Sequence, residues 1–487
     1  MAKKLLTVKY FDGGISLSER EGLRGGFYFS QNLDIISEPS NLKLNLKTTK
    51  DSSTTVVDLI KWFVSGRPHD TNLYSVGDAG NIYQRTSAGS WSVIRTVTNC
   101  KGQGLEVFSD YLYYTQNTQI GRYGLLSGTP GFTDAWQTGL TDTSATGKQF
   151  APIKAFAAGL AVGHGNIVSW WDGTVWTLTR LTLPTGFNIR SFDVIDEYLV
   201  ISAWKGSTIT TSEQGMAFFW DGTATTYNFV IPIPDGGMQA VINSRNRLLS
   251  IVNTDGTIYL NYQPFQKVHK IPFLTNAKYV DIYPGAITNW RGSTFIGVAA
   301  VTDSTDVMQG VYQWGAKSDK YNEVLNLAYT PSHGLTSVTT ISIGALKGIG
   351  NELFISWKST STYGVDVVST SANPFASGTY QSLIFDDNRP LQEKQATTLV
   401  VKHKALVSGE SIQLGYKTNR ASSYTTGTAN STVGSKVTKL NLPAGDARFY
   451  EFQFEIILAT SGSSSPTVTS AGLEYNDLSE EQLVGGS

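Results

Sequence analysis

At 487 residues, with 11% aromatic, only 16% charged and 48 glycines, the chain has the composition of a strand-rich protein large enough for more than one core. Its 38 basic and 39 acidic residues nearly cancel and are spread along the sequence, which leaves no electrostatic footprint for sequence-specific nucleic acid or an anionic membrane. A single cysteine, Cys100, excludes an intramolecular disulfide and a thiolate zinc cage; it reads as a small apolar residue at a strand edge.

Residues 1–54 read as an N-terminal arm with lead-in strands. The opening "MAKKLLTVKYFDGG" has two lysines but no apolar h-region and no small-residue cleavage site, so synthesis in the cytoplasm is expected. Nowhere does an apolar run approach the ~20 residues of a membrane-spanning helix.

From residue 55 to 387, short apolar or alternating runs bounded by Gly, Asn, Asp and Ser recur in a fixed order. One column reads "NLYSVG" (72), "YLYYTQ" (111), "GLAVGHG" (159), "YLVISAW" (198), "RLLSIVN" (247), "TFIGVAA" (294) and "ELFISWK" (352), with starts 39, 48, 39, 49, 47 and 58 residues apart. Each is followed by a second run, such as "NIVSWW", and a third, such as "VWTLTRL"; the last third run is "YQSLIFDD". Segments just before each triplet, such as "VVDLIKWFV" and "IRSFDVI", supply a fourth strand. Four short antiparallel strands at a period of 40 to 50 residues describe a β-propeller of about seven blades. Leu73, Leu112, Leu160, Leu199, Leu248, Phe295 and Leu353 are expected at equivalent blade positions.

Two aromatic clusters, "SWWDGTVW" (169–176) and "FFWDGTATTY" (218–227), fall between the second and third strands of their repeats. A two-residue type I′ turn takes Asp-Gly readily, and Trp170, Trp171, Trp176, Phe219, Trp220 and Tyr227 would then be cross-strand aromatics. A surface aromatic platform for sugar is the alternative reading.

Beyond "IFDDNRP" the period stops, and residues 388–476 hold five longer alternating runs with Gly/Ser/Thr loops, the pattern of a β-sandwich. In "YEFQFEIIL", Phe452, Phe454 and Ile456 alternate with Glu451, Gln453 and Glu455, which predicts one dry and one wet face. Residues 477–487 form an acidic tail with Asp477, Glu480 and Glu481. It is expected to leave its own sandwich and lie on a neighbouring copy, held by Leu478 and Leu483.

Motif-level support for catalysis is lacking. His69, His164, His269, His333 and His403 are scattered, with His164 read as a turn residue, and no HExxH, GxSxG or phosphate-loop pattern occurs. No catalytic, metal or cofactor residue is assigned, and the chain is read as a non-enzyme. A propeller glycosidase would need paired carboxylates over the axis. Asp193, Asp196, Glu197, Asp386 and Asp387 are the candidates, but the axial ends of the inner strands read mostly as Ser, Thr, Gly and Ala. The "WDGT" runs resemble the Asp-box hairpins of sialidases, without the Ser-x-Asp-x-Gly-x-Thr-Trp order.

The stretch "FDGGISLSEREGLRGGFYFSQNLDIISEPSNLKLNLKTT", through Gly13, Gly14, Ile15, Ser16 and Asn32, resembles the start of the tail nozzle and related tail propeller proteins of tailed bacteriophages. The sandwich, with "SGESIQLGYKTN", is similar to those appended to phage tail and baseplate proteins. The resemblance implies a virion structural protein of the tail or head-tail region, assembled into a symmetric ring or hub with copies of itself and other tail proteins. A host-receptor or carbohydrate-binding propeller, meeting a surface glycan, is the alternative. A propeller glycosidase is the third reading.

Overall fold

The computed structural model describes residues 3–478 except 17, 21–24, 53, 142–149, 210, 211, 213, 234, 235, 253–256, 262–265, 271–280, 300–308, 319–322, 332–340, 444 and 446. At 252, 257, 259–261 and 266–270 it describes the backbone alone. All regular elements among the described residues are β-strands apart from single-residue turns of other type. Two compact units result: Thr49–Val311 with Pro331–Ser369, and Met1–Thr48 with Tyr312–Thr330 and Thr370–Ser487.

The first unit is a β-propeller. Five blades are four-stranded antiparallel meanders, beginning with Ile60–Ser65, Leu105–Phe108, Ile153–Phe156, Phe187–Ile195 and Met238–Ser244. The sixth blade begins with the hairpin Ile287–Trp290 and Ser293–Gly297. The two runs assigned to its outer half, Val311–Gly315 and Val324–Tyr329, belong, Val311 apart, to the other unit. The seventh contains Ile341–Ile349, Glu352–Ser359 and Thr362–Ser369. The seven innermost strands neighbour one another in sequence, and the seventh returns to the first, which closes the ring.

Aromatic and β-branched side chains fill the wedges between blades because each inner sheet is covered on both faces. Leu112 packs with Tyr74 and Val76 of the preceding blade, Leu160 with Tyr113, Leu199 with Ala161, and Leu248 with Val200. Leu73 does the same across the ring closure, against Phe354 and Val365 of the seventh blade. All seven expected positions are buried. Phe295 departs in register: it is the third residue of its strand and packs tilted against Trp290, with Thr294 in the second position that leucine holds in five of the other blades.

The outer strand of the seventh blade is not "YQSLIFDD". Thr49–Lys50 pairs there instead, with Lys50 opposite Asp366 and Thr49 opposite Val367. The strand Ser377–Ser382 lies in the second unit, paired with Phe27–Gln31 and Phe452–Thr460. An N-terminal strand satisfies the ladder that a blade formed only from the chain's later residues would leave open.

The second unit is a sandwich of two sheets. One runs in the order Lys4–Val8, Val468–Asp477, Lys394–His403, Val437–Asn441, with Arg448–Phe449 also pairing the third. The other contains Val324–Tyr329, Phe27–Gln31, Ser377–Ser382, Phe452–Thr460, Glu410–Thr418 and Thr425–Thr426 in that order. The sheets meet through Phe449 and Phe452, 5.2 Å apart, and Phe385 and Tyr475, 5.4 Å apart. Before residue 49 the strands Lys4–Val8 and Phe27–Gln31 are therefore integral to the sandwich rather than parts of an arm, and the expected boundaries at 54 and 387 fall elsewhere.

Two further expectations are corrected. The strand Phe452–Thr460 does not present the expected wet face, since Gln453 and Glu455 are buried. Gln453 Nε2 donates to Ser382 O at 2.7 Å, and Glu455 Oε2 accepts from Gln381 Nε2 at 2.9 Å. Asp477 stays in its own sandwich, within reach of Lys4 (2.7 Å) and Arg389 (3.0 Å), and Leu478 N donates to Glu393 O. Glu480, Glu481 and Leu483 lie outside the described residues.

Candidate functional site

Along the propeller axis the inner strands of all seven blades line a cavity of about 250 Å³. In all seven the residue two positions before the strand's end lines it. These are Phe63 (opposite Ser75), Glu106 (Tyr113), Lys154 (Ala161), Asp193 (Val200), Ile242 (Leu249), Thr288 (Phe295) and Lys347 (Phe354). The expected layer of Ser, Thr, Gly and Ala is thus replaced by two carboxylates and two ammonium groups. Trp62, Phe192, Pro152 and Pro284 contribute apolar wall.

The charges are not equally matched. Lys154 Nζ donates to Asp193 Oδ1 at 3.0 Å, and Asp193 Oδ2 also accepts from Asn243 N at 2.7 Å. Burial works to lower the Lys154 ammonium, yet Asp193 and Glu106 outweigh it and hold it above the ordinary lysine value. Glu106 accepts from the backbone of Val107, at 3.1 Å to Oε1, and of Ala155, and burial pushes its carboxyl up despite Lys154 and Lys347. Lys347 has no ion-pair partner among the described residues; burial lowers its ammonium, with Glu106 only partly compensating.

A second charged cluster stands on β-bulges. Lys61, Arg190, Gln239 and Gly344 are the extra residues in the inner strands of the first, fourth, fifth and seventh blades. A bulge re-aims its side chain. Lys61 Nζ sits 3.1 Å from the Tyr283 ring centroid, and Arg190 lies over Phe150 at 4.9 Å. Arg190 also bonds Asp281 at 3.0 Å and the carbonyls of Gln239 and Ile282. Burial pulls Lys61 down to about 8 and lowers Arg190 against the pull of Asp281.

The other expected carboxylates do not join Asp193. Asp196 and Glu197 are exposed at a hairpin turn, with Asp196 at φ 51°. Asp386 and Asp387 belong to the sandwich unit and are within reach of Arg20 (3.4 Å) and Lys4 (3.2 Å) respectively. Among the described residues no cluster of three metal-ligating side chains occurs.

The aromatic runs resolve as architecture, though not with two-residue turns. Trp171 pairs with Trp176 around a four-residue loop. There Asp172 Oδ1 accepts from Thr174 N (2.8 Å), Thr174 Oγ1 (2.8 Å) and Val175 N (2.7 Å). Asp221 Oδ1 caps the longer loop 221–228 likewise, through Thr223 and Ala224. The backbone bond from Val175 and that from Ala224 lead the effects that hold these carboxyls below the usual range. Gly173 and Gly222 supply the positive φ, 100° and 84°. Trp170 and Trp220 are buried and cross edge to face at 5.6 Å between the third and fourth blades.

His164 is a buried strand-end residue rather than a turn residue. Its Nδ1 accepts from Thr141 N at 2.9 Å and its Nε2 lies 2.7 Å from Ser169 Oγ, while burial lowers the imidazole to about 4. His69 accepts from Asp110 N through Nε2, and His403 contacts Lys404 O and Thr438 Oγ1. His333 lies outside the described residues, as does the side chain of His269. Cys100 is fully buried in a turn, its thiol pushed up to about 12 by burial.

Sequence reasoning missed Glu106, Lys154, Lys347, Lys61 and Arg190. The available signal was one charged residue inside each otherwise apolar inner run: "LEVF", "IKAF", "ALKGI", "IKWFV" and "NIRSF".

No protein-family model and no curated protein matches the chain. Solved structures resemble it at low identity. The β-propeller domain of Myceliophteria thermophila Cps50 (Swd1) is 11% identical with a TM-score of 0.43, over 66% of this chain and 99% of that one. The Neurospora crassa Pan2 WD40 domain is 10% identical with a TM-score of 0.43, over 68% and 98%. The extracellular domain of the putative one component system BT4673 from B. thetaiotaomicron is 11% identical with a TM-score of 0.48, over 74% of this chain and 45% of that one. These similarities extend to the β-propeller fold and no further.

Proposed function

We propose that the chain is a virion structural protein of a tailed bacteriophage. It works without catalysis as one copy in an oligomeric ring or hub of the tail or head-tail region. The observation that carries this reading is the element Gly13-Gly14-Ile15-Ser16, where the phage-tail resemblance is concentrated. Ile15 N donates to Leu325 O, Ser16 N to Phe27 O, and Phe27 N to Gly14 O, so the short motif joins strands distant in sequence within the sandwich. Gly14 has φ +72°, and a Cβ on Gly13 would fall 2.1 Å from Gly26 N, so both glycines are required by the backbone. Asn32, the fifth residue of the resemblance, has φ 58° and accepts from Thr330 Oγ1 at 2.8 Å. The motif is therefore a structural joint, as a rigid assembled part needs. Its partners are other copies of itself and other tail proteins.

The test is to place a short epitope tag on the chain in a phage genome that encodes it and image purified particles by electron microscopy with a tag-specific label. Label at a fixed tail or head-tail position, in several copies, is expected. Infective particles that carry no chain would sink the reading, and specific retention of a host glycan by the isolated chain would favour a receptor-binding propeller instead.

A further inference from the structure

Among the described residues the axial cavity contains one direct ion pair and two further charges that have none. Lys154 and Asp193 neutralise each other at 3.0 Å. Glu106 and Lys347 face the same cavity, and each feels the other only through space. Glu106 has backbone donors, but neither it nor Lys347 has a direct oppositely charged partner among the described residues; leaving such charges partly desolvated is unfavourable, and a ligand that supplies both missing contacts removes that cost. An anion alone would satisfy Lys347 but meet Glu106, and a cation alone would do the reverse. A zwitterion answers both. At about 250 Å³ the space is below that of typical pockets for drug-sized molecules and suits a single small metabolite. Trp62 and Phe192 offer apolar surface for a short side chain.

We propose that this cavity is a binding site for a free α-amino acid, whose carboxylate meets Lys347 and whose ammonium meets Glu106. The site goes beyond the structural role proposed above and does not depend on it. Thr288 and Asn289, from the sixth blade, line the same wall and add neutral hydrogen-bonding groups. The bulge cluster of Lys61 and Arg190 is not used, since its cations already face Tyr283, Phe150 and Asp281.

The experiment is calorimetric titration of the full chain with glycine, L-alanine, L-serine, L-leucine and L-phenylalanine, each separately, with acetate and methylammonium as single-charge probes. At least one amino acid is expected to bind with Kd below about 1 mM, and both single-charge probes at least tenfold more weakly. Lys347→Met and Glu106→Gln should each weaken that amino acid at least about tenfold, while Lys347→Arg, which keeps the charge, should retain binding within a few-fold. Unchanged thermal unfolding of the variants establishes that the loss is local; if either replacement fails to fold, the Lys347→Arg variant and the single-charge probes still decide. The proposal is overturned if no amino acid gives a binding isotherm up to about 10 mM, if acetate binds as well as the amino acids, or if folded Lys347→Met binds like the parent.

Discussion

Asp51 holds Arg85 at two points, Nε to Oδ2 at 2.6 Å and NH2 to Oδ1 at 2.8 Å. Asp51 directly follows the strand that completes the seventh blade, and its own N–H donates to Val365 O of that blade, whereas Arg85 belongs to the first. Trp91 Nε1 and Gly89 N bring two more bonds to the same carboxylate. The pair therefore fastens the two ends of the ring. Asp51→Ala leaves a largely buried guanidinium unpaired and should cost about 3–5 kcal/mol in urea unfolding of the propeller. A loss below about 1 kcal/mol would show that the pair is a bystander.

His164 makes stability fall in mild acid. The Thr141 N–H aimed at Nδ1 requires that nitrogen to stay unprotonated, so Nε2 carries the proton toward Ser169. An unfolded imidazole takes up a proton near pH 6.5, whereas this one does so only near 4. Between those values the unfolded state binds more protons, so stability is complete above about pH 6.5 and declines as pH falls toward 4, by up to about 3 kcal/mol. His164→Gln cannot titrate. Urea midpoints of the two proteins from pH 7 to 4.5 should converge, and parallel curves would exclude the histidine as the cause.

Lys61 acts in the same direction at higher pH. Its ammonium is lowered to about 8 by burial, so the folded state binds fewer protons between about 8 and the unfolded lysine value, and stability rises with pH through that window. Lys61→Met should be more stable than the parent at pH 7, by about 1–3 kcal/mol, and the gap should narrow as pH rises to 10. A variant less stable at both pH values would mean that the contact with Tyr283 outweighs desolvation.

Gly13→Ala should destabilise the sandwich by at least about 1–3 kcal/mol, because the atoms it would meet are backbone and cannot swing away. Gly131→Ala is the matched control, with nothing within 4 Å of its Cβ. Thermal unfolding that ranks the two alike would remove the steric account.

Leu199→Ala should cost about 2–5 kcal/mol as a cavity between the third and fourth blades. Leu5→Ala, on a residue 65% exposed, should change stability by no more than about 0.5 kcal/mol. Chemical denaturation of both variants checks the contrast.

The propeller was legible because its strands repeat at regular spacing, and a leucine such as Leu160 or Leu199 marks the register in every blade but the sixth. The second unit was only half legible. Its later strands alternate clearly, but nothing local in "KLLTV" or "FYFSQ" says that Lys4–Val8 pairs with Val468–Asp477 or Phe27–Gln31 with Ser377–Ser382; such pairings are set by tertiary packing. Gln453 and Glu455 misled for the same reason, since alternation reports polarity and not what covers the polar face. Asp193 was noticed, but beside Asp196, Glu197, Asp386 and Asp387, which lie elsewhere. Its companions Glu106, Lys154 and Lys347 became a group only when the ring brought strands far apart in sequence to one axis.

The outer strand Thr49–Lys50 also dictates an order of events. It leaves the ribosome before any blade, yet its partner Thr362–Ser369 is made only after the other six blades have been started. Closing so long a loop is slow, because the entropy is lost before the contacts form. Throughout synthesis the growing ring has two open edges, and the strand Ile60–Ser65 waits with one flank uncovered. A chaperone that shields this flank, or a slow stretch of translation late in the message, would raise the yield of closed rings without altering a single contact of the finished protein.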